Sequence, residues 1–475
     1  MRKILGVVLV VLVIVAVAPF GFGFWADARL NALLEDFNQA DVFDFTVIKT
    51  DKGWFSSTAI IEAELSIALA QKLNQAKGDG ANLNPPKVVL KSTVFHGPLP
   101  FMSGQFSLKP VVATIDTKFV KDVNTEEPLV NIDYTVLAHM NLGGDTAVVL
   151  DIPEWSGPLG DGEDTVEWQG LTGKIDLAEG LDAASMDVKA PLLKISSDKG
   201  GLLVKSLSIK SDSEAGIAGL SLGNAHFSIG NIEFSSQKPG ENFSIADVQM
   251  KADTTATAGN INSQIDFKMA RLMLVGEQYG PAVFSIGLKN IEAESLARIN
   301  DKVKEVRGQG LPQDQASMMM GATIMSELSN LLKQGPEIEI AELSLVSTVG
   351  KLMGNARISV DTSRPELLTN MFLVKDAIVG ELDIEVPEEM MVLFNMGILK
   401  KELQGANIQY TDEQLKTMAK SRVNKRMGAL VKANMFTKAG NMYRMTASFE
   451  KGVPTVNGRI IPIPFGGGAP VAPLQ

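Results

Sequence analysis

Apolar and polar residues alternate with period two over most of the first two thirds of the chain. Over 58–69, Ile61, Ala63, Leu65, Ile67 and Leu69 share one parity, while Glu62, Glu64 and Ser66 take the other. That is the pattern of a strand with one dry and one wet face. With 43–48, and with Asp51-Lys52-Gly53-Trp54-Phe55 as the turn, it predicts an antiparallel hairpin. Residues 88–95 predict another strand, ended at His96-Gly97-Pro98-Leu99-Pro100 by two prolines that cannot donate to a ladder. From 106 to 290 the theme repeats. The runs 132–142, 148–152, 165–177, 192–195, 202–210, 225–234, 248–252 and 261–274 are β-prone and divided by Gly, Asn, Asp and Pro, which predicts a β-meander or stacked hairpins. Between Ile261 and Met269 the alternation is nearly unbroken, so one face of that strand is wet. Its other face needs cover from a second sheet, from helices further on, or from a lipid.

After Ile291 the period changes. Residues 292–307 and 313–333 follow helical spacing, and the second run starts after Pro312 and stops at Gly335-Pro336. Its methionines, Met318 to Met320 and Met325, read as adaptable packing. Strands resume over 337–348, 352–360 and 377–386, followed by a helix over 387–396. Thr411 and Gln414 form a capping box for the clearest helix in the chain, 412–432. Leu415, Met418, Ala419, Val423, Met427, Leu430 and Val431 make its apolar stripe, and Lys416, Lys420, Arg422, Lys425 and Arg426 crowd the remainder. Such a helix covers a sheet; those five cations are also candidates for docking on anionic lipid headgroups. A closing hairpin, 443–450 with 455–461, turns at Lys451-Gly452, and the Pro/Gly-rich 462–475 predicts a disordered tail. The expected fold is α+β and β-rich, a long antiparallel meander of amphipathic strands with a helical C-terminal third. Residues 27–290 form the β-rich region, and 291–461 a mixed helix and strand region packing on the same body.

The N-terminal pattern differs from all of this. Arg2 and Lys3 precede an uncharged run from Ile4 to Ala26, where about 20 residues suffice to cross a bilayer as a helix. A cleaved signal peptide is the alternative, through Ala16-Val17-Ala18, but Pro19 follows that triplet and the apolar run continues to Trp25. A single-pass anchor is therefore expected, marked by Arg2, Lys3, Pro19 and Trp25. Cations before the span, and Asp27, Glu35, Asp36, Asp41 and Asp44 after it, place the N-terminus in the cytoplasm and the body outside. A short helix over 27–39, with Leu30, Leu33, Leu34 and Phe37 at helical spacing, is expected at the membrane face.

Composition narrows the chemistry. The chain lacks cysteine, so it has no disulfide, thiolate metal site or cysteine nucleophile. A net charge of -11 disfavours nucleic acid as a partner. Hydrophobic residues make up 45% of the chain and aromatics 6%, so the core is aliphatic and offers few stacking platforms for sugars or bases. Gly219-Leu220-Ser221-Leu222-Gly223 matches a nucleophile-elbow string, but it lies within alternating β sequence and His226 is the only histidine downstream. His96, His139 and His226 lack metal-ligand spacing, and Asp161-Gly162-Glu163-Asp164 reads as a solvated turn rather than a calcium loop. No phosphate-binding loop or dinucleotide fingerprint occurs, so neither cofactor nor catalytic residue is expected.

Taken in order, the N-terminal anchor, Gly53-Trp54-Phe55-Ser56-Ser57, His96-Gly97-Pro98-Leu99-Pro100, Gly335-Pro336-Glu337-Ile338, the helix near 411–432 and Val456-Asn457-Gly458-Arg459 resemble the YdgA-like family of bacterial envelope proteins. The resemblance implies a Gram-negative, inner-membrane-anchored periplasmic protein from a family without an established activity, so it transfers no site residue. Three functions follow as expectations. The first is a non-enzymatic protein offering an apolar β groove to a lipid or acyl chain. The second is a scaffold for another envelope protein, and the last is a hydrolase with an unrecognised site.

Overall fold

The computed structural model describes residues 26, 30, 34, 43–65, 87–97, 111–120, 134–158, 164–237, 242–274, 276–308, 313–364, 366, 373–404 and 410–461. Residues 1–25, with Arg2, Lys3, Pro19 and Trp25, lie outside these, as does the tail 462–475. Among the described residues no helix is long and apolar enough to cross a membrane. The chain divides into two compact units, Met1–Ser196 with Lys205–Ala215, and Ser197–Val204 with Gly216–Gln475.

In the first unit, β1 (Phe43–Lys52), β2 (Ser56–Leu65), β3 (Lys87–His96), β4 (Val111–Val120), β5 (Thr135–Asn141), β6 (Thr146–Pro158), β7 (Thr165–Leu177) and β8 (Ala183–Ser197) each pair antiparallel with the next. The expected hairpin at 51–55 is present. Its dry parity, Ala59 and Ile61, joins Val94, Val112, Ala113, Ile115 and Met140 in one buried cluster. Ala26, Leu30 and Leu34 are helical and pack on that cluster at the i, i+4, i+8 spacing of one helix face. The helix expected at the membrane face thus turns Leu30 and Leu34 toward the sheet, because each buried leucine gains about 1.5–3 kcal/mol over exposure. Leu33 and Phe37 lie outside the described residues.

The division between units falls inside β9 (Gly200–Ala215). In the second unit, β10 (Ser221–Ser236), β11 (Phe243–Thr257), β12 (Asn260–Leu274), β13 (Glu277–Glu292), β14 (Glu337–Ser347), β15 (Gly350–Val360) and β16 (Ile378–Pro387) form an antiparallel meander, and β16 pairs with β18 (Met442–Glu450). The strands β17 (Thr437–Ala439), β19 (Val453–Val456) and β20 (Arg459–Ile460) complete it. Helices enter as two inserts between neighbouring strands. The first, α1 (Ala293–Gly308) and α2 (Gln313–Lys333), separates β13 from β14; the second, α3 (Glu388–Gln404) and α4 (Asp412–Lys432), separates β16 from β18. The capping box forms as read, with Gln414 N–H donating to Thr411 Oγ1 at 3.2 Å and Thr411 N–H to Gln414 Oε1 at 3.0 Å. Helix α3 runs eight residues beyond the expected stop at 396, through Gly397, whose helix penalty is about 1 kcal/mol. Burial of Leu399 among Leu415, Ala419 and Val423 outweighs that penalty.

A polar clamp fixes the first insert. Ser295 is fully buried; its N–H donates to Glu292 at 2.7 Å and its hydroxyl to Glu327 at 3.0 Å, while Arg298 donates to Glu327 at 2.8 Å. The Arg298 guanidinium, helped by the Ser295 and Asn330 donors and opposed by burial, holds the Glu327 carboxyl at about 2. Because the folded value lies below the unfolded one, the clamp's contribution is complete above the usual glutamate range and is lost as pH falls toward 2. Thermal unfolding should therefore separate wild type from Glu327→Gln at neutral pH, and the gap should narrow steadily as the buffer is taken from about pH 5 down to pH 3. A gap that stays constant across the titration would rule out an ionic clamp.

Candidate functional site

Cα register aligns the side chains of the second unit into rows that run across the strands. One row passes through Phe227, Met250, Phe267, Phe284, Leu343, Gly354, Ile384 and Met445. The adjacent row passes through Ala225, Ala252, Ile265, Ile286, Ile340, Ala356, Leu382, Ala447 and Val456. Flanking rows carry Val248, Met269, Leu345 and Leu352 on one side, and Leu288, Ile338, Ile358 and Phe449 on the other. Strands lie about 4.8 Å apart, so the eight strands β10–β16 and β18 extend each full row over about 34 Å.

These apolar side chains are not packed away. Met250, Ile265, Leu288, Ile338 and Ile358 are exposed, at 43, 39, 38, 46 and 54%. Most of the others are half-buried, and of the apolar residues named in the rows only Val456 is buried. Among the described residues the helices do not supply the cover that the alternation of β12 calls for. The buried cluster of α3 and α4 takes Tyr443 from the strands, that at the end of α2 draws on Val360, and neither includes a row residue.

The intervening positions point the other way, and many of them are charged or polar. Asp266, between Ile265 and Phe267, accepts from Ser285 at 2.6 Å and from Gln264 at 3.1 Å, and those donors, the serine first, hold its carboxyl below the usual range. Lys289 bridges Glu337 at 2.9 Å and Glu339 at 2.5 Å, and Arg357 Nε donates to Glu337 at 2.9 Å. Lys289 leads in holding the Glu337 carboxyl down. Arg444 pairs with Asp383 at 2.6 Å and Glu385 at 3.2 Å. This ionised face is the wet one. A cavity of about 350 Å³ opens on it, lined by Asn224, His226, Lys251, Asp253, Gln264 and Asp266 among others. The buried Nε2 of His226 has no hydrogen-bond partner.

The other sequence candidates are spread over the chain. On α4, Lys416 and Lys420 face Glu389 at 3.7 and 3.5 Å, and Arg422 forms a two-point pair with Glu402 at 3.3 and 3.1 Å. Lys425 and Arg426 are exposed on the same helix. Ser221 opens a strand rather than a helix, so the nucleophile-elbow string does not form an elbow. His139 meets Thr114 Oγ1 at 3.2 Å, and burial pushes its imidazole down. Of the acidic loop only Asp164 is described. Among the described residues no group of three or more His, Asp or Glu side chains is placed to hold a metal.

Two motifs of the first unit do meet. His96 is buried; Ser57 Oγ lies 3.2 Å from its Nε2, and the Trp54 carbonyl 3.3 Å from its Nδ1. A carbonyl only accepts, so Nδ1–H donates to Trp54 O, while Nε2 and the Ser57 hydroxyl share the other hydrogen bond. Gly97 N–H donates to Val112 O at 2.6 Å, and His96 N–H to Phe55 O at 2.9 Å. The stretches 53–57 and 96–97 therefore form one clasp at the end of β2, β3 and β4.

Over residues 1–464 the chain matches the model of a family described as bacterial protein of unknown function (DUF945). No curated protein and no solved structure matches it.

Proposed function

The chain belongs to that bacterial family of unknown function, and we propose that it is a non-enzymatic, membrane-tethered envelope protein whose second unit lays the acyl part of a lipid on its apolar sheet face. The observation that carries this reading is the set of apolar rows left half-buried or exposed among the described residues while the opposite face carries ion pairs. A sheet exposed to water on both sides keeps such rows only at a cost in hydration. About ten methylenes laid on them gain on the order of 8 kcal/mol before the cost of ordering the chain. The uncharged run from Ile4 to Ala26 supports a bilayer as the lipid source, with the N-terminus cytoplasmic and the body in the periplasm of a Gram-negative cell, as in a YdgA-like protein.

Native mass spectrometry of the full chain released from detergent tests the reading. Wild type is expected to retain lipid that the double variant Phe267→Asp, Phe284→Asp loses with unchanged far-UV circular dichroism. Asp266→Asn, on the wet face, should retain it. Equal lipid on wild type and the double variant would remove the face from consideration and turn attention to a protein partner.

A further inference from the structure

We infer that this face reads only hydrocarbon and accepts two-chain lipids whatever their headgroup, an inference that rests on the lipid reading above. Three observations lead there. The rows contain no charged side chain, and the hydroxyls of Thr254 and Ser263 at their margin meet each other at 3.1 Å. At the intervening positions Asp266 is engaged with Ser285, Glu337 with Lys289 and Arg357, and Arg444 with Asp383. A phosphate or an ammonium laid on the rows would thus meet no charged side chain of the rows themselves. Ligand sites obtain orientation and specificity from a few placed polar groups, and here these are lacking.

The dimensions set the hydrocarbon. Rows repeat every two residues, about 6.7 Å apart, and each full row crosses eight strands, about 34 Å. Four rows make a band wide enough for two chains side by side, lying across the strands, with the headgroup left in water at the rim. Electrostatic complementarity points the same way, since an uncharged face of this size matches the uncharged part of an amphiphile. The 23 uncharged residues from Ile4 to Ala26 keep the chain beside a supply of it.

The test uses the full chain reconstituted in vesicles of one background lipid. Each preparation carries a tracer of phosphatidylglycerol, phosphatidylethanolamine or phosphatidylcholine with a photoactivatable acyl chain. After illumination, labelled peptides are mapped by mass spectrometry. All three tracers are expected to label the β12 and β13 peptides carrying Phe267 and Phe284, with yields within about threefold of one another, and Phe267→Asp, Phe284→Asp should abolish that labelling. A single charge-assisted hydrogen bond to a headgroup would separate the tracers by about tenfold or more. Such a separation would overturn headgroup indifference and leave the lipid face standing. Labelling of the N-terminal run alone, with none of the three tracers on β12 or β13, would overturn both.

Discussion

Replacing Gly97 by alanine is expected to unfold the first unit. A Cβ at this position would lie 1.7 Å from Val111 O and 2.8 Å from Val112 O. Both are backbone atoms, so no side-chain rotation relieves the clash and β4 itself must move. That strand supplies Val112, Ala113 and Ile115 to the buried cluster against Ala59, Ile61 and Val94. It also holds the 2.6 Å hydrogen bond from Gly97 N–H to Val112 O. Displacing it gives up both packing and ladder, a loss of about 3–5 kcal/mol or more where whole domains hold 5–15. His96→Ala makes the comparison. It removes the ring's contacts with the Ser57 hydroxyl and the Trp54 carbonyl, a cost of about 0.5–1.5 kcal/mol per hydrogen bond, while β4 stays in place. Urea unfolding monitored by tryptophan emission should rank the two variants in that order, Gly97→Ala being the one that fails to accumulate in folded form. A midpoint for Gly97→Ala equal to wild type would sink the argument.

The clasp also shows where sequence reading stops. Gly53-Trp54-Phe55-Ser56-Ser57 and His96-Gly97 are recognisable as strings, yet what joins them is a cross-strand register, Ser56 opposite Phe95 and Ser57 opposite Val94. Residues 39 apart in the chain give no local sign of that pairing. Local signals carried further. The capping box at Thr411, the Gly335-Pro336 stop and the alternation of β12 each place their element, because each depends on neighbours within one turn or one pleat. β13 has a weak sequence signature because Gly280 and Pro281 interrupt its alternation, although Phe284, Ile286 and Leu288 resume it and pair on both sides. The need for cover on the dry face of β12 was legible; which of second sheet, helix or lipid supplies it was not. That depends on α3 and α4 packing on one another and on the end of α2 packing with Val360, Val374 and Ala377. The boundary between units inside β9 has no counterpart in composition, which changes only after 290.

Helix α4 is where covering and headgroup docking lead to different measurements. Its stripe, Leu415, Ala419, Val423 and Met427, is buried together with Val392, Leu399 and Tyr443. Leu415→Asp or Val423→Asp puts a carboxylate into that cluster, where no cation partners it, and each is expected to cost at least about 3 kcal/mol and to melt the α3–α4 insert early. The cations behave differently. Lys416 and Lys420 are about half exposed beside Glu389, and pairs of that kind contribute about 0–1 kcal/mol. Changing Lys416, Lys420 and Lys425 together to Gln should therefore leave the unfolding midpoint where it is. The same triple variant decides about lipid. A lysine held near an anionic surface adds roughly 1 kcal/mol to binding, so three of them would change vesicle affinity more than a hundredfold, with a steep salt dependence. With Lys416, Lys420 and Arg422 already facing Glu389 and Glu402, the body released by a protease site placed before Ala26 should bind anionic vesicles equally with and without the three lysines. Loss of vesicle binding in a triple variant of unchanged stability would instead assign the helix to the membrane surface.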